Sequence, residues 1–175
     1  MIASIKLTKK LIDGQDLIVT PNWVSNGHWA LRRLLLENEY VLADPEKALG
    51  VDSKEGEDSL IENILKDVFS SENPPVRPAR KTSWVKTHEV SWKRKPEEYC
   101  LFELDEPRVG IFFNRLYVES LDLEALWVSG GSTSPSVNAE KKEEVSILLM
   151  PANLGEVTIL NRPIKTIMSL KDLED

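Results

Sequence analysis

The stretch from Phe112 to Leu154 constrains the fold more than any other, because it sets one short helix between runs with the character of strands. Phe112-Phe113 closes on Asn114, whose side-chain oxygen can accept from the backbone just ahead and so favours a helix start. Leu116, Tyr117 and Ser120-Leu121 then give one or two amphipathic turns. From Glu124 the period changes to that of a strand, with Ala125, Trp127 and Ser129 alternating with Leu126 and Val128 until the Gly130-Gly131 break. Val145 to Met150 is a second apolar run, and Pro151, which has no N–H to give to a ladder, stops it. Such a unit is a helix laid on a small antiparallel sheet.

The rest of the chain follows the same grammar with one exception. Ser4 to Ile12 fits a strand and a short helix equally well, and Asp13-Gly14 ends it with a turn. Leu17 to Thr20 is a strand stopped by Pro21, and Asn26-Gly27 is the strongest hairpin signal in the chain. An apolar run from Trp29 to Leu36 follows, with Arg32-Arg33 in its middle. The exception is residues 44–75. Asp44 can cap a helix with Pro45 at its first position, and Leu60, Ile61, Ile64, Leu65, Val68 and Phe69 form an amphipathic helical stripe. Ser53 to Asp58 between them is polar and is expected to be mobile. Asp44 to Glu72 therefore reads as an acidic helical insertion or as a lid over the basic region, and Asn73 to Pro78 as an extended connector whose prolines exclude helix and ladder alike. Lys81 to Lys95 alternates weakly, with Trp84, Lys86, His88, Val90 and Trp92 sharing one face, and Trp84 and Trp92 are expected in the core. Glu98 to Leu104, Val109 to Phe113 and Glu156 to Leu160 are further strands, with a turn at 105–108. The segment from Pro163 onward is a strand or a short helix.

At 175 residues the chain is expected to be one domain, 1–175, with 44–75 as the insertion and connector. A hydrophobic share of 41% and a charged share of 29% are ordinary for a soluble globular protein. No apolar run reaches the length of a membrane span and no secretion signal opens the chain, so a cytoplasmic protein without membrane contact is expected. The single cysteine, Cys100, excludes an intrachain disulfide and fits a small buried side chain in a strand.

Charge is unevenly spread over a net −7. Between Glu37 and Glu72 eleven acids face three lysines, whereas between Val76 and Lys95 seven bases face Glu89 alone. The basic block, with Arg80, Lys81, Lys93, Arg94 and Lys95 beside Trp84 and Trp92, is the chain's own argument for nucleic acid, since such bases neutralise phosphates and exposed aromatics stack on bases. For catalysis the chain offers little. Its two histidines, His28 and His88, lack a second ligand at metal spacing. There is no glycine-rich phosphate loop and no serine elbow. A non-enzymatic protein without cofactor or metal is expected.

The order Phe-Asn-x-x-Tyr-Val at 113–118, a helix, a strand, Ser134-Pro135, and a closing run ending Leu149-Met150-Pro151-x-x-Leu154 resembles the last half-domain of the bacterial sliding clamp, the beta subunit of DNA polymerase III. Asn26-Gly27-His28-Trp29-Ala30-Leu31 is similar to the Asp-Gly-His-Arg-Leu turn in the first half of a clamp domain, although Asn26 stands for the family's aspartate and Trp29 for its arginine. The resemblance implies an α+β, DNA-clamp-like fold of two helix-on-antiparallel-sheet halves. It implies helices that face double-stranded DNA, placing Lys6, Lys9 and Lys10 on the first and Arg115 on the second, with Glu119 and Asp122 opposing phosphate. It also implies a hydrophobic pocket for replication proteins, carried over to Gly27, His28 and Leu31 and to Met150, Pro151 and Leu154. In clamps that pocket joins two domains, so here it is expected where two copies meet head to tail, in a homo-oligomer. The residues after Leu154 extend past the end of a clamp domain. The expected role is a clamp-like replication accessory or decoy from a phage or other mobile element. The alternative is a structural or regulatory interaction protein that keeps the fold without the ring and binds through its acidic insertion.

Overall fold

A computed structural model describes residues 4–12, 14–89, 92, 95–131 and 135–174; Val90, Lys93, Arg94 and Ser134 lie outside them. The described elements are, in order, α1 (Lys9–Ile12), β1 (Leu17–Val19), β2 (Trp23–Ser25), β3 (Trp29–Arg32), α2 (Pro45–Leu49), β4 (Ser53–Glu55), α3 (Asp58–Val68), β5 (Arg77–His88), β6 (Glu97–Leu104), β7 (Val109–Asn114), α4 (Arg115–Ser120), β8 (Ala125–Val128), β9 (Ser136–Val137), β10 (Ile147–Leu149), β11 (Val157–Ile159) and β12 (Arg162–Thr166). The fold is mixed α+β, a large sheet with few helices. Strand order is β11-β12-β7-β6-β5-β8-β9-β10-β3-β2-β1-β4, antiparallel throughout except for the parallel pairs β12/β7 and β1/β4.

The N-terminal ambiguity resolves as the short helix, over Lys9–Ile12, preceded among the described residues by one isolated bridge and no strand. Ile5 makes an isolated bridge to Leu36, and α1 then turns Leu11 and Ile12 wholly inward. Asn114 caps α4 by accepting from the Leu116 N–H at 2.9 Å, and Asp44 caps α2 by accepting from the Lys47 N–H at 3.3 Å. The helices α1 and α4 touch each other and cover one face of the sheet. Beneath them Leu11, Ile12, Phe102, Phe113, Tyr117 and Leu126 form the main core, with Phe102 and Phe113 edge to face at 5.1 Å. Cys100 is buried in β6. A second cluster joins Trp23, Ala30, Val137, Val145 and Leu148 to Ile61, Leu65 and Val68 of α3. A third sets Val157 of β11 against Tyr99, Leu101 and Phe112.

Four expectations give way here. Ser53–Glu55 is the edge strand β4, paired with β1; its side chains are all exposed, so backbone pairing alone holds it and leaves no apolar signature. Pro78 lies inside β5 opposite Trp127; the ladder to β6 begins one residue later, at Ala79, so the missing N–H breaks nothing on that side. Trp84 and Trp92 are not core residues, being 40% and 82% exposed. A register shift between Lys81 and Val85 re-phases β5, and simple alternation cannot foresee it. Finally, the buried residues of α3 pack on the face of β2, β3, β9 and β10, so the acidic insertion covers that face and is not a lid on the basic strand.

The start of the proline connector meets the chain just after β8. A Cβ on Gly130 would stand 2.3 Å from the Pro74 carbonyl oxygen, so only glycine lets these two backbones approach.

Candidate partner-binding groove

The tip of the β2–β3 hairpin is built around a buried amide. Asn26 Oδ1 accepts from the backbone N–H of His28 at 2.8 Å and of Trp29 at 3.0 Å, while Nδ2 donates to the Leu11 carbonyl at 3.2 Å. Nδ2 also lies 3.4 Å from the Tyr117 hydroxyl, so one side chain ties the turn to both helices. Gly27 takes the left-handed conformation this turn demands, φ +91°. The indole of Trp29 turns inward and donates to the Leu11 carbonyl at 2.7 Å.

β10 runs antiparallel to β3 with Leu149 opposite Trp29, and the Met150 N–H donates to the His28 carbonyl at 2.8 Å. Pro151 then ends the strand, and the Ala152 N–H donates to the Phe112 carbonyl at 2.8 Å, which brings β7 and the cap of α4 to the same corner. The Gly27-His28 turn and the Met150-Pro151 end therefore stand side by side within one chain. The expectation that they would meet only between two copies is corrected, because the β3/β10 ladder does the joining.

A cavity opens on each side of this His28–Met150 ridge. The first, of about 480 Å³, has walls from His28, Ala30, Leu148 and Met150 on the sheet and from Ile61 and Ile64 on α3. The second, of about 550 Å³, is walled by His28, Met150, Pro151, Asn114, Tyr117 and Trp92. The His28 and Tyr117 rings stack at 6.4 Å with 25° between their planes. Met150 is 37% exposed, Ile64 38% and Leu60, one residue before Ile61, 56%, so the ridge and the rim of α3 present apolar surface to solvent.

Two expected pocket residues stand elsewhere. Leu31 is wholly buried in the main core, and Leu154 packs on the Tyr99–Phe112 cluster. The cavities gain instead from α3, Asn114, Tyr117 and Trp92. The signal for α3 was present in the sequence: its apolar stripe is wider than one buried face, and Leu60 with Ile64 is the excess.

Among the described residues, the expected basic side chains are spread over both faces of the sheet. Lys6, Lys9 and Lys10 are exposed on and before α1. Arg115 is held by Glu98 at 2.8 Å and Glu119 at 2.7 Å, ion pairs that raise its pKa. Lys81 is half-buried on the helix-bearing face, near enough to Cys100 to act on its charge. Arg80 is exposed and, next to the buried Ala79, points to the opposite face, whereas Lys95 is exposed near Arg115. Burial pushes the Cys100 thiol up, against the pull of Lys81 and Arg115, which keeps it protonated and unreactive at neutral pH.

Among the described residues no three His, Cys, Asp or Glu side chains are grouped to hold a metal ion, and no helix is long and apolar enough to cross a membrane. No protein-family model, curated protein or solved structure matches this chain.

Proposed function

We propose that this chain is a non-enzymatic, clamp-like interaction module whose His28–Met150 groove receives a short apolar segment of a replication protein. The observation that carries this reading is the 2.8 Å hydrogen bond from Met150 N to His28 O, which sets the two motif corners edge to edge between two cavities. The resemblance to sliding clamps puts partner binding on Gly27, His28, Met150 and Pro151, and all four line these cavities. Asn114 and Tyr117, from the Phe-Asn-x-x-Tyr-Val motif, line the second beside them. Each three-strand meander, β1–β2–β3 and β8–β9–β10, follows a short helix, and the two join through β3/β10; this order supports a two-half, clamp-like arrangement.

The alternative, binding through the acidic insertion without a ring, is favoured by a specific feature as well. Ile61 and Ile64 of α3 wall the first cavity, so the insertion and the groove are one surface. Contact with double-stranded DNA would fall to Lys6, Lys9 and Lys10, since Arg115 is already neutralised by Glu98 and Glu119.

The test is a titration of fluorescein-labelled peptides taken from the clamp-binding segments of bacterial replicative polymerases. Saturable binding is expected, weakened about tenfold or more by Met150→Glu, which puts a charge on an apolar anchor point at a half-exposed position that the fold tolerates. Absence of saturable binding by the unaltered chain would overturn the reading.

A further inference from the structure

Two strands keep an open edge, and both edges border one cavity. β8 pairs with β5 only over residues 77–80, and the Lys81 N–H donates to the Glu124 carbonyl just beyond. Among the described residues, no backbone group of 82–88 bonds to backbone outside the β5–β6 ladder. The ladder itself says which groups face outward. The Leu101 carbonyl accepts from Thr82 Oγ1 at 2.8 Å, so Leu101 faces β5; two residues back, Tyr99 faces it too and bonds its partner Lys86. Val85 and Thr87, on either side of Lys86, therefore turn N–H and C=O away from β6. At the margin of the sheet β11 pairs with β12 alone, through a two-residue turn at Leu160 and Asn161, φ +49° and +63°. Such a turn closes on a hydrogen-bonded pair, Ile159 with Arg162, so the next pair, Thr158 with Pro163, is not bonded. Pro163, which has no N–H to donate, fits that position, and Thr158 turns both its groups outward. A cavity of about 290 Å³ is walled by Trp84, Val85 and Lys86, by Glu156 and Thr158, and by Phe112. Consecutive residues of a strand point to opposite faces, so three in a row border a cavity through the strand's edge.

We propose that this slot is a strand-addition site, in which an extended segment of another protein with one acidic residue bonds to the outward groups of Val85, Thr87 and Thr158. Main-chain pairing to an open edge supplies affinity, and pockets beside the edge select side chains. Trp84 and Val85, 40% and 39% exposed, give the added strand apolar surface to cover. Charge narrows the occupant. β5 carries Arg77, Arg80, Lys81 and Lys86 and no acid, and among the described residues Lys86 makes no ion pair. A second copy of β5 on this edge would set bases against bases, which disfavours self-pairing. Glu156 on the other wall repels phosphate and a second acid alike, so the slot suits a peptide with one carboxylate better than a nucleic-acid strand. None of the slot's residues lines either cavity of the His28–Met150 groove, so the two sites stand or fall separately.

The experiment titrates the whole chain with labelled nine-residue peptides of alternating valine and threonine around one central aspartate or, in a twin, one central lysine. At low salt saturable binding is expected, with the aspartate peptide about fivefold tighter than its twin. Lys86→Glu should reverse that preference with circular dichroism unchanged, since Lys86 is only half-buried. A third peptide, the aspartate sequence with alternate amides N-methylated, should bind about tenfold more weakly, because it lacks the donors of one edge. Amide hydrogen exchange at Val85, Thr87 and Thr158, followed by nuclear magnetic resonance, should slow when the aspartate peptide binds. Absence of saturable binding by that peptide, equal binding of its methylated form, protection confined to other amides, or an aspartate preference that survives Lys86→Glu overturns the proposal. Self-association that protects the same amides without peptide also overturns it, because a second copy then fills the edge. Tighter binding of an oligothymidylate than of the aspartate peptide at these amides overturns it in favour of nucleic acid.

Discussion

At position 26 a single side-chain amide holds three pieces of chain: its own turn, the end of α1 and, through Tyr117, the inner face of α4. It is 4% exposed, so water cannot replace the bonds it makes. Replacing Asn26 by alanine leaves the Leu11 carbonyl short of one donor and the His28 and Trp29 N–H groups without their acceptor. A loss of about 3 kcal/mol is expected, read as a lower urea midpoint. Peptide affinity should fall with it, because the same bonds set the position of His28. Asn26→Asp should not rescue, since a buried carboxylate faces the Leu11 carbonyl where the amide had donated. The glycine beside it contributes through its backbone alone. Nothing lies within 4 Å of a Cβ built on Gly27, so its value is conformational rather than steric.

The helix α3 is the element that distinguishes this groove, and its position is set at its N-terminus. Asp58 accepts from the backbone N–H of Asn22 at 2.9 Å and from its Nδ2 at 2.7 Å, pinning the first turn to the β1–β2 connection. Burial pushes the Asp58 carboxyl up, but the hydrogen bonds from Thr20 and Asn22, with Arg32 nearby, outweigh it and hold the group below its ordinary value. A carboxylate depressed in the folded state stabilises that state above its unfolded pKa, about 3.9, and the contribution is lost as pH falls through the lower, folded value. Asp58→Asn should therefore be less stable than the unaltered chain at pH 7, and the gap should close as pH approaches 3, measured as urea midpoints across that range. The strand β5 behaves differently at this scale. Its residue types announce a strand and its charge is plain in the sequence, but the register shift between Lys81 and Val85 decides which side chains reach solvent.

On the scale of the molecule, the pairing of β3 with β10 brings together residues more than a hundred positions apart and completes the groove inside one chain. Peptide binding should then be one per chain, with an affinity that does not change as the protein is diluted, measured by sedimentation of labelled peptide over a concentration series. A groove that needed a second copy would lose affinity on dilution.

Much of this is legible in the chain itself. The caps at Asn114 and Asp44, the Asn26-Gly27 hairpin, the buried Cys100 and the stops at Pro21 and Pro151 are local chemistry, written in a few adjacent residues, and each stands where the sequence put it. Long-range pairing is not legible there. The exposed edge strand β4 and the inclusion of Pro78 in a ladder depend on which backbone lies alongside, and no side chain signals that. Leu31 shows the same division in one residue: its place in a turn-and-strand motif is readable, but the alternation of the finished sheet sends it to the core and leaves His28 at the groove. Local propensity chose the elements of this protein, and the sheet's register, a property of contacts between distant segments, chose the faces they present.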